Sequence, residues 1–153
     1  MLLIRQVNQL LNISLLDKGR LQPKIRKEDL QLFLIDTLNT FNTLADVYNV
    51  KLSYHISEKI ATAYFDREII EQILFNLLSN AFKYTPNKGN IVFVAVLNER
   101  EGLNYLDFSV EDNGIGIKQD ELGSIFDRFY QNKRKEFQRF ESSGIGLAYC
   151  REI

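Results

Sequence analysis

Hydrophobic residues recur at helical spacing in four stretches of the chain. They predict a helix over residues 1–17, a second from about residue 27 to 48, and a third over residues 67–84 that ends before Pro86. A last helix opens from Gly144 onward. The first helix carries a bare apolar stripe, so it needs a partner from its own protein or from a second copy.

Four shorter stretches alternate between apolar and polar residues, which is the pattern of half-buried strands. They cover residues 51–56, 60–65, 90–97 and 103–110. The last two are joined by a polar turn that contains Gly102, which predicts an antiparallel hairpin. This order of elements predicts an α+β fold, namely a two-layer α/β sandwich with a mixed, largely antiparallel sheet, preceded by a truncated helix.

The composition is that of an ordinary globular domain, with 45% hydrophobic and 25% charged residues. The formal net charge is −1, which disfavours direct binding of nucleic acid by this fragment. One cysteine and one histidine exclude an internal disulfide and a cluster of Cys and His around a metal. No apolar run is long enough to cross a bilayer. The fragment is therefore expected to be soluble and cytoplasmic, even if the parent protein is anchored in the inner membrane.

Two amides lie four residues apart on the predicted helix over residues 67–84. Asn76 and Asn80 therefore share one face of the helix, and Lys83 and Tyr84 close it. Taken alone, such amides are most simply surface residues or caps. The alternative is that their carbonyl oxygens face a hard cation such as Mg²⁺, which takes oxygen ligands and bridges nucleotide phosphates.

Two glycine-rich turns complete the candidate chemistry. Residues 112–116 follow a strand directly, where glycines let a ligand approach the backbone and the Asp112 carboxylate can accept a hydrogen bond from an exocyclic amine. Residues 143–147 lead into a helix, whose free N–H groups favour anions. A strand-ending turn and a hinge explain each of them separately. The sequence contains neither a G-x-x-x-x-G-K-[ST] phosphate loop nor a dinucleotide-binding fingerprint.

In this order, the motifs resemble the four boxes of sensor histidine kinases. Residues 76–85 are similar to the N box, 112–116 to the G1 box, 126–130 to the F box and 144–147 to the G2 box. The first helix resembles the second helix of the dimerisation and phosphotransfer domain of these proteins. Around residues 7–11 it is similar to the large hybrid two-component sensors of Bacteroides-type bacteria.

The resemblance implies a division of the chain into three parts. Residues 1–18 would be the C-terminal part of the dimerisation and phosphotransfer helix, and residues 19–26 a linker. Residues 27–153 would be an ATP-binding catalytic domain of the Bergerat fold, in the GHKL superfamily, whose C-terminal end lies beyond this chain.

The resemblance also implies roles for individual residues. Catalytic roles fall to Asn76, Lys83 and Arg128. Asn80 would coordinate Mg²⁺ between the phosphates, and Asp112 would accept a hydrogen bond from the adenine amino group. The other residues expected to contact the nucleotide are Tyr84, Gly114, Gly116, Ile117, Phe129, Gly144, Ile145, Gly146 and Leu147.

Residues 124–143 are polar and rich in basic residues, without a clean period, and are expected to form a lid or a disordered loop. Four basic residues there are candidates for contacting the triphosphate, although a solvated loop explains each of them as well. They are Lys133, Arg134, Lys135 and Arg139. Residues 141–143 are Glu-Ser-Ser where relatives often have an extra glycine, so the flexibility of the lid is expected to be reduced.

The activity implied is that of a protein-histidine kinase in two-component signal transduction. ATP and Mg²⁺ are the expected cofactors, and the γ-phosphate would pass to a histidine on a phosphoacceptor helix of the same or a dimer-mate chain. A response-regulator receiver would be the downstream partner, and the parent is expected to be a homodimer. His55 lies in a predicted strand with no acceptor motif around it, so the acceptor histidine is expected outside this chain.

Two other functions fit parts of the pattern. An ATP-hydrolysing clamp of the chaperone or mismatch-repair type would place a glutamate where Asn76 stands, because an amide cannot take a proton from water. A non-catalytic nucleotide-binding scaffold is the second alternative, because the motifs that predict binding do not by themselves predict phosphoryl transfer.

Overall fold

The computed structural model describes residues 2–131 and 143–153. None of the described helices is both long and apolar enough to cross a bilayer. In chain order, the elements are α1 (Leu2–Asp17), β1 (Arg26–Asp29), α2 (Leu30–Asn39), α3 (Asn42–Tyr48), β2 (Lys51–Ile56), β3 (Thr62–Phe65), α4 (Arg67–Tyr84), β4 (Asn90–Arg100), β5 (Leu103–Asp112) and α5 (Gly146–Glu152).

The described strands form two sheets. In the larger sheet, β4 lies in the centre, pairs parallel with β2 and pairs antiparallel with β5 in the predicted hairpin. The smaller sheet is the antiparallel pair of β1 and β3. The α+β class and the mixed, largely antiparallel arrangement are therefore confirmed.

The core lies between the helices and one face of β4. Ile91, Phe93 and Ala95 are fully buried and alternate with half-buried neighbours, as expected for a strand with one face on the core. Phe41 stacks on Phe82 with their ring centroids 5.8 Å apart. Further core residues from α2 and α4 are Phe33, Leu34, Leu38, Leu74, Leu78 and Ala81.

The single helix predicted from about residue 27 to 48 is wrong in two places. Its first residues form β1, and α2 begins at Leu30 because the side chain of Asp29 caps its N-terminus. The helix then breaks at Thr40, whose hydroxyl donates to the carbonyl of Thr37 at 2.7 Å. The apolar period continues across the break because α2 and α3 pack on the same core, so the pattern alone does not reveal the interruption.

The predicted bounds of α4 are confirmed. Asp66 caps its N-terminus by accepting a hydrogen bond from the backbone N–H of Ile69 at 3.1 Å. At the other end, Thr85 is already extended and Pro86 cannot continue the helix. α4 therefore carries both amides of the predicted site on one rigid element.

The first helix, α1, packs against α5. Ile13, which fits the apolar stripe least well in the sequence, is buried at 4% exposure and packs against Ile145 and Tyr149. The described part of the stripe is exposed instead, at Val7, Leu10, Leu11 and Leu15.

Candidate nucleotide site

A cavity of about 790 Å³ lies between α4, the end of β5 and the start of α5. Its volume is typical of small-molecule and cofactor sites. It joins the amide-bearing helix, the acidic glycine turn and the closing glycine turn in one space. The predicted site residues that line it are Asn76, Asn80, Lys83, Tyr84, Asp112, Gly116, Ile117, Gly144, Gly146 and Leu147.

The two amides differ in their surroundings. Asn76 is buried, with its Oδ1 accepting from Nε2 of Gln9 at 2.7 Å and its Nδ2 donating to the carbonyl of Gly146 at 3.1 Å. The interpretation of Asn76 as a surface amide is therefore wrong. Asn80 is half-buried at the cavity wall, and its side chain has no hydrogen-bond partner among the described residues.

Lys83 places a buried positive charge in the cavity wall. The residue is 2% exposed, and burial lowers the pKa of its ammonium group below the usual 10.5. Its Nζ lies 5.1 Å from the centroid of the Tyr84 ring. The pKa of the Tyr84 phenol is raised, mainly by burial and further by the charges of Tyr130 and Glu121. A desolvated ammonium group attracts an anion more strongly than an exposed lysine does.

Asp112 ends β5 at the cavity. Its Oδ1 accepts a hydrogen bond from the backbone N–H of Gly114 at 2.9 Å, which fixes the carboxylate relative to the turn. A carboxylate held in this way is suited to accept a further hydrogen bond from a ligand amine.

Gly114 lies outside the cavity lining and packs against the end of α4, so it does not make room for a base directly. A Cβ atom added there would lie 2.5 Å from the carbonyl oxygen of Tyr84 and 2.6 Å from Oδ1 of Asp112. The next residue, Ile115, donates its N–H to the same carbonyl at 3.2 Å. Only glycine permits this approach of the turn to α4.

We expect Gly114→Ala to lower the free energy of unfolding by about 2 kcal/mol, because the backbone carbonyl of Tyr84 cannot move away without displacing the end of α4. Urea denaturation would measure the change. Gly123→Ala is the matched control, since a Cβ atom there meets nothing within 4 Å. Superimposable unfolding curves for the two variants would contradict the packing role.

The closing glycine turn also depends on close approaches. Gly144 has a φ of +71°, its carbonyl accepts from the N–H of Phe129 at 2.9 Å, and an added Cβ atom would lie 2.5 Å from the carbonyl oxygen of Tyr130. At Gly146, an added Cβ atom would lie 3.0 Å from Oδ1 of Asn76. These glycines bring the start of α5 against α4 and the F-box turn.

Arg128 is absent from the residues that line the main cavity, and its catalytic role stays a prediction. Its guanidinium group donates to both carboxylate oxygens of Asp17 at 2.7 and 2.8 Å and to Glu152 at 2.6 and 3.0 Å. These contacts raise the pKa of Arg128 and lower the pKa of Asp17. A bidentate pair with a residue so distant in sequence arises from tertiary structure alone.

Phe129 and Ile145 are likewise outside the main cavity. They line a separate cavity of about 180 Å³ together with Arg128 and residues of α1. Phe129 is 65% exposed and has a φ of +67°. The basic residues of the predicted lid, Lys133, Arg134, Lys135 and Arg139, lie outside the described residues.

Sequence reasoning missed one polar residue of the cavity on α1. Gln9 is 6% exposed and lies one helical turn before the buried Ile13. The signal that the sequence offers is a polar residue one turn before Ile13 on the same helix. If such an amide is buried, it requires a hydrogen-bond partner that is buried as well. Apolar lining residues that were also missed include Leu44, Tyr48, Phe75, Val110, Leu122 and Ile125.

The donors at the cavity suit a Mg²⁺ ion that arrives with a nucleotide. The described part of the chain has no group of three or more His, Cys, Asp or Glu residues that could hold a metal. The amide of Asn80, which has no hydrogen-bond partner among the described residues, would supply one oxygen. Protein sites for Mg²⁺ commonly offer only one or two oxygens, while phosphates and waters provide the rest.

Comparison with known proteins decides the family. Residues 65–153 match the family described as Histidine kinase-, DNA gyrase B-, and HSP90-like ATPase. The chain belongs to this ATPase family. The matched region covers more than half of the chain and includes all four boxes, and most of the residues that line the cavity lie within it.

Relatives place the ATPase domain among histidine kinases. Sensor protein RprX of Bacteroides fragilis is 31% identical over 97% of the chain, and sensor histidine kinase WalK of Bacillus subtilis is 32% identical over 99%. Full-length ShkA in complex with AMPPNP has the same fold, with a TM-score of 0.78 and 25% identity over 98% of the chain and 30% of ShkA. The chain is thus a histidine kinase-type ATP-binding domain.

The chain spans 28% of the length of RprX and 24% of that of WalK. Relatives of equal similarity come from Bacteroides and from Bacillus, so membership of a Bacteroides-type hybrid subgroup stays a prediction. The division at residues 18 and 26 also stays a prediction, although β1 begins at Arg26.

Proposed function

We propose that the ATPase domain binds ATP with Mg²⁺ and donates the γ-phosphate to a histidine on a phosphoacceptor helix, in two-component signal transduction. The observation that carries the proposal is the shared cavity, which Asn80 and Asp112 line together with Gly144 and Gly146. This set combines an oxygen ligand for a cation, an acceptor for an amine and a backbone free of side chains for phosphate.

The chemistry needs positioning more than reactive protein groups. Phosphoryl transfer depends on aligning the phosphate and neutralising its charge. Lys83 supplies a buried positive charge, and the turn at Gly144 and Gly146 lets backbone approach the phosphates. Mg²⁺, held by Asn80 with Asn76 beside it, would further neutralise the phosphate oxygens when bound.

The ATP-hydrolysing clamp is not favoured. Asn76 stands where hydrolysing relatives carry a glutamate, and an amide cannot act as a general base for water. Its amide is hydrogen-bonded to Gln9 and to the carbonyl of Gly146. The relatives named above are sensor proteins, not clamps. We infer that hydrolysis is slow and that transfer to histidine is the productive reaction.

The partners follow from the same proposal. The acceptor is a phosphoacceptor helix of the same or a dimer-mate chain, a response-regulator receiver takes the phosphate next, and the parent acts as a homodimer in the cytoplasm or at the inner membrane. His55 is exposed on β2 and is absent from the cavity lining, which supports an acceptor outside this chain.

A binding titration tests the site. We expect ATP to bind more tightly with Mg²⁺ than without, and GTP to bind weakly. Asn80→Ala should reduce the gain from Mg²⁺ at least about tenfold, because one metal oxygen ligand is lost. Asn104→Ala, an exposed amide at the far end of β5, is the control. An unchanged metal gain in Asn80→Ala would contradict the assignment.

Transfer needs a separate readout, because a non-catalytic scaffold would pass the binding test. Joining the domain to an upstream helix that carries the acceptor histidine should give labelled phosphohistidine from γ-labelled ATP. Tight, adenine-selective binding without any label would favour the scaffold.

A further inference from the structure

One polar residue of the cavity comes from α1, outside the region that matches the ATPase family. Gln9 is 6% exposed and donates from Nε2 to Oδ1 of Asn76 at 2.7 Å. A buried amide with a short hydrogen bond is fixed by its partner rather than solvated. Among the described side chains of α1, Gln9 is the one that reaches the wall of the nucleotide cavity.

This hydrogen bond occupies the amide oxygen of Asn76. Its Nδ2 donates to the carbonyl of Gly146 at 3.1 Å, so the amide cannot turn without losing that bond, and Oδ1 is directed to Gln9. A cation approaching Oδ1 would meet the positively polarised N–H groups of Gln9. Oδ1 of Asn76 therefore cannot accept the hydrogen bond from Gln9 and contact a cation at the same time.

A second contact of α1 holds Arg128, which like Asn76 is expected to have a catalytic role. Asp17, two turns beyond Gln9, binds the guanidinium group through both carboxylate oxygens. Between these two residues, Ile13 packs against Ile145 and Tyr149. When α1 is seated in this way, it engages Asn76 at one end and Arg128 at the other.

We propose that Gln9 is a further residue of the nucleotide site, and that α1, seated through it, competes with Mg-ATP for Oδ1 of Asn76. The inference rests on the proposed function, because it requires Mg-ATP as the ligand. Only molecules in which α1 is not seated bind Mg-ATP with full affinity. The apparent affinity therefore falls as the fraction of molecules with α1 seated rises. A signal that moves α1 would therefore change nucleotide affinity.

Calorimetric titration of the full chain with Mg-ATP tests the competition. Gln9→Ala should bind up to about fivefold more tightly than the wild type, because one hydrogen bond that stabilises the seated helix is gone. The gain should be smaller for ATP without Mg²⁺, since the proposed competition at Oδ1 of Asn76 is between Gln9 and the cation. Asn8→Ala, an exposed amide next in sequence on α1, is the matched control and should bind as the wild type does.

Asp17→Asn separates the seating of α1 from a local effect on Asn76. It weakens the other end of the helix without changing a residue that lines the main cavity, so it should also tighten Mg-ATP binding. Tighter binding by Gln9→Ala but not by Asp17→Asn would overturn the inference. Amide exchange in α1 should become faster in both variants, and faster in the wild type when Mg-ATP is added.

Two results distinguish a failure of the competition by α1 from a failure of Mg-ATP binding itself. Mg-ATP binding by the wild type with equal or lower affinity in Gln9→Ala overturns the competition and leaves the proposed function standing. No Mg-ATP binding by the wild type, Gln9→Ala and Asn8→Ala alike overturns the proposed function and the inference with it.

Discussion

Asp112→Ala is expected to weaken ATP binding about 10- to 100-fold, because a charge-assisted hydrogen bond to the adenine amino group is lost. The carboxylate lies at the cavity and is fixed by the N–H of Gly114 at 2.9 Å, so little ordering is required when the base binds. Calorimetric titration with ATP and GTP would measure the loss. Discrimination against GTP should fall as well, since GTP has a carbonyl where ATP has the amine.

The neighbouring carboxylate provides the control. Glu111 is exposed on the same strand and is absent from the cavity lining. Its replacement by alanine removes one negative charge, as Asp112→Ala does. Glu111→Ala should retain the affinity of the wild type for ATP. Equal losses in both variants would mean that general charge, rather than contact with the base, determines binding.

Lys83→Met should weaken ATP binding about 100-fold, the upper range for a hydrogen bond to a charged group, while the fold is kept. Methionine is of similar length and apolar, so the buried stem of the side chain is replaced without a large cavity. The triphosphate loses the desolvated positive charge in the wall. Titration with ATP would measure the affinity, and circular dichroism would verify the fold.

The same residue predicts a pH dependence. Burial lowers the pKa of Lys83 below 10.5, so the ammonium group loses its proton earlier on a rising pH scale than an exposed lysine does. ATP affinity should therefore fall as the pH rises from 7.5 towards 10. Without nucleotide, the free energy of unfolding should instead rise over the same pH range. The buried charge of Lys83 destabilises the fold below the folded pKa, and this cost disappears as the pH approaches 10.5.

Two nearby groups should not obscure this profile. Burial raises the pKa of Tyr84 above 10 and the pKa of Cys150 to about 11, so both remain neutral over most of the range. Lys83→Met should flatten the dependence of ATP affinity on pH, whereas Lys51→Met, at an exposed position on β2, should preserve it. A pH profile that is as steep in Lys83→Met as in the wild type would contradict the assignment.

Much of the local structure could be predicted because local physics dominates it. The bounds of α4 follow from the cap at Asp66 and the proline at position 86, both of which act within one turn of the helix. The β4–β5 hairpin follows from alternation and a short turn. The break between α2 and α3 could not be seen, because both helices bury the same apolar period in one core.

The nucleotide site likewise has features that the sequence predicts and features that depend on tertiary contacts. The amides of α4 share a face because of helical geometry, and glycines mark the two turns. The prediction of a nucleotide pocket rests on the resemblance of these motifs to the boxes of sensor histidine kinases, and one cavity joins the three stretches. Gly114 shows the limit: its residue type was correct for the turn, but the atom that requires a glycine there is a carbonyl of α4 rather than a ligand.

The sequence by itself determined most of the helices and strands, because caps, turns and alternation act within a few residues, and its motifs already resembled those of the family. Only the tertiary structure decided that Arg128 binds Asp17 and Glu152, and that Gln9 meets Asn76. Those partners lie 111, 24 and 67 positions apart, and no periodicity along a chain specifies which polar group will meet another once the helices pack.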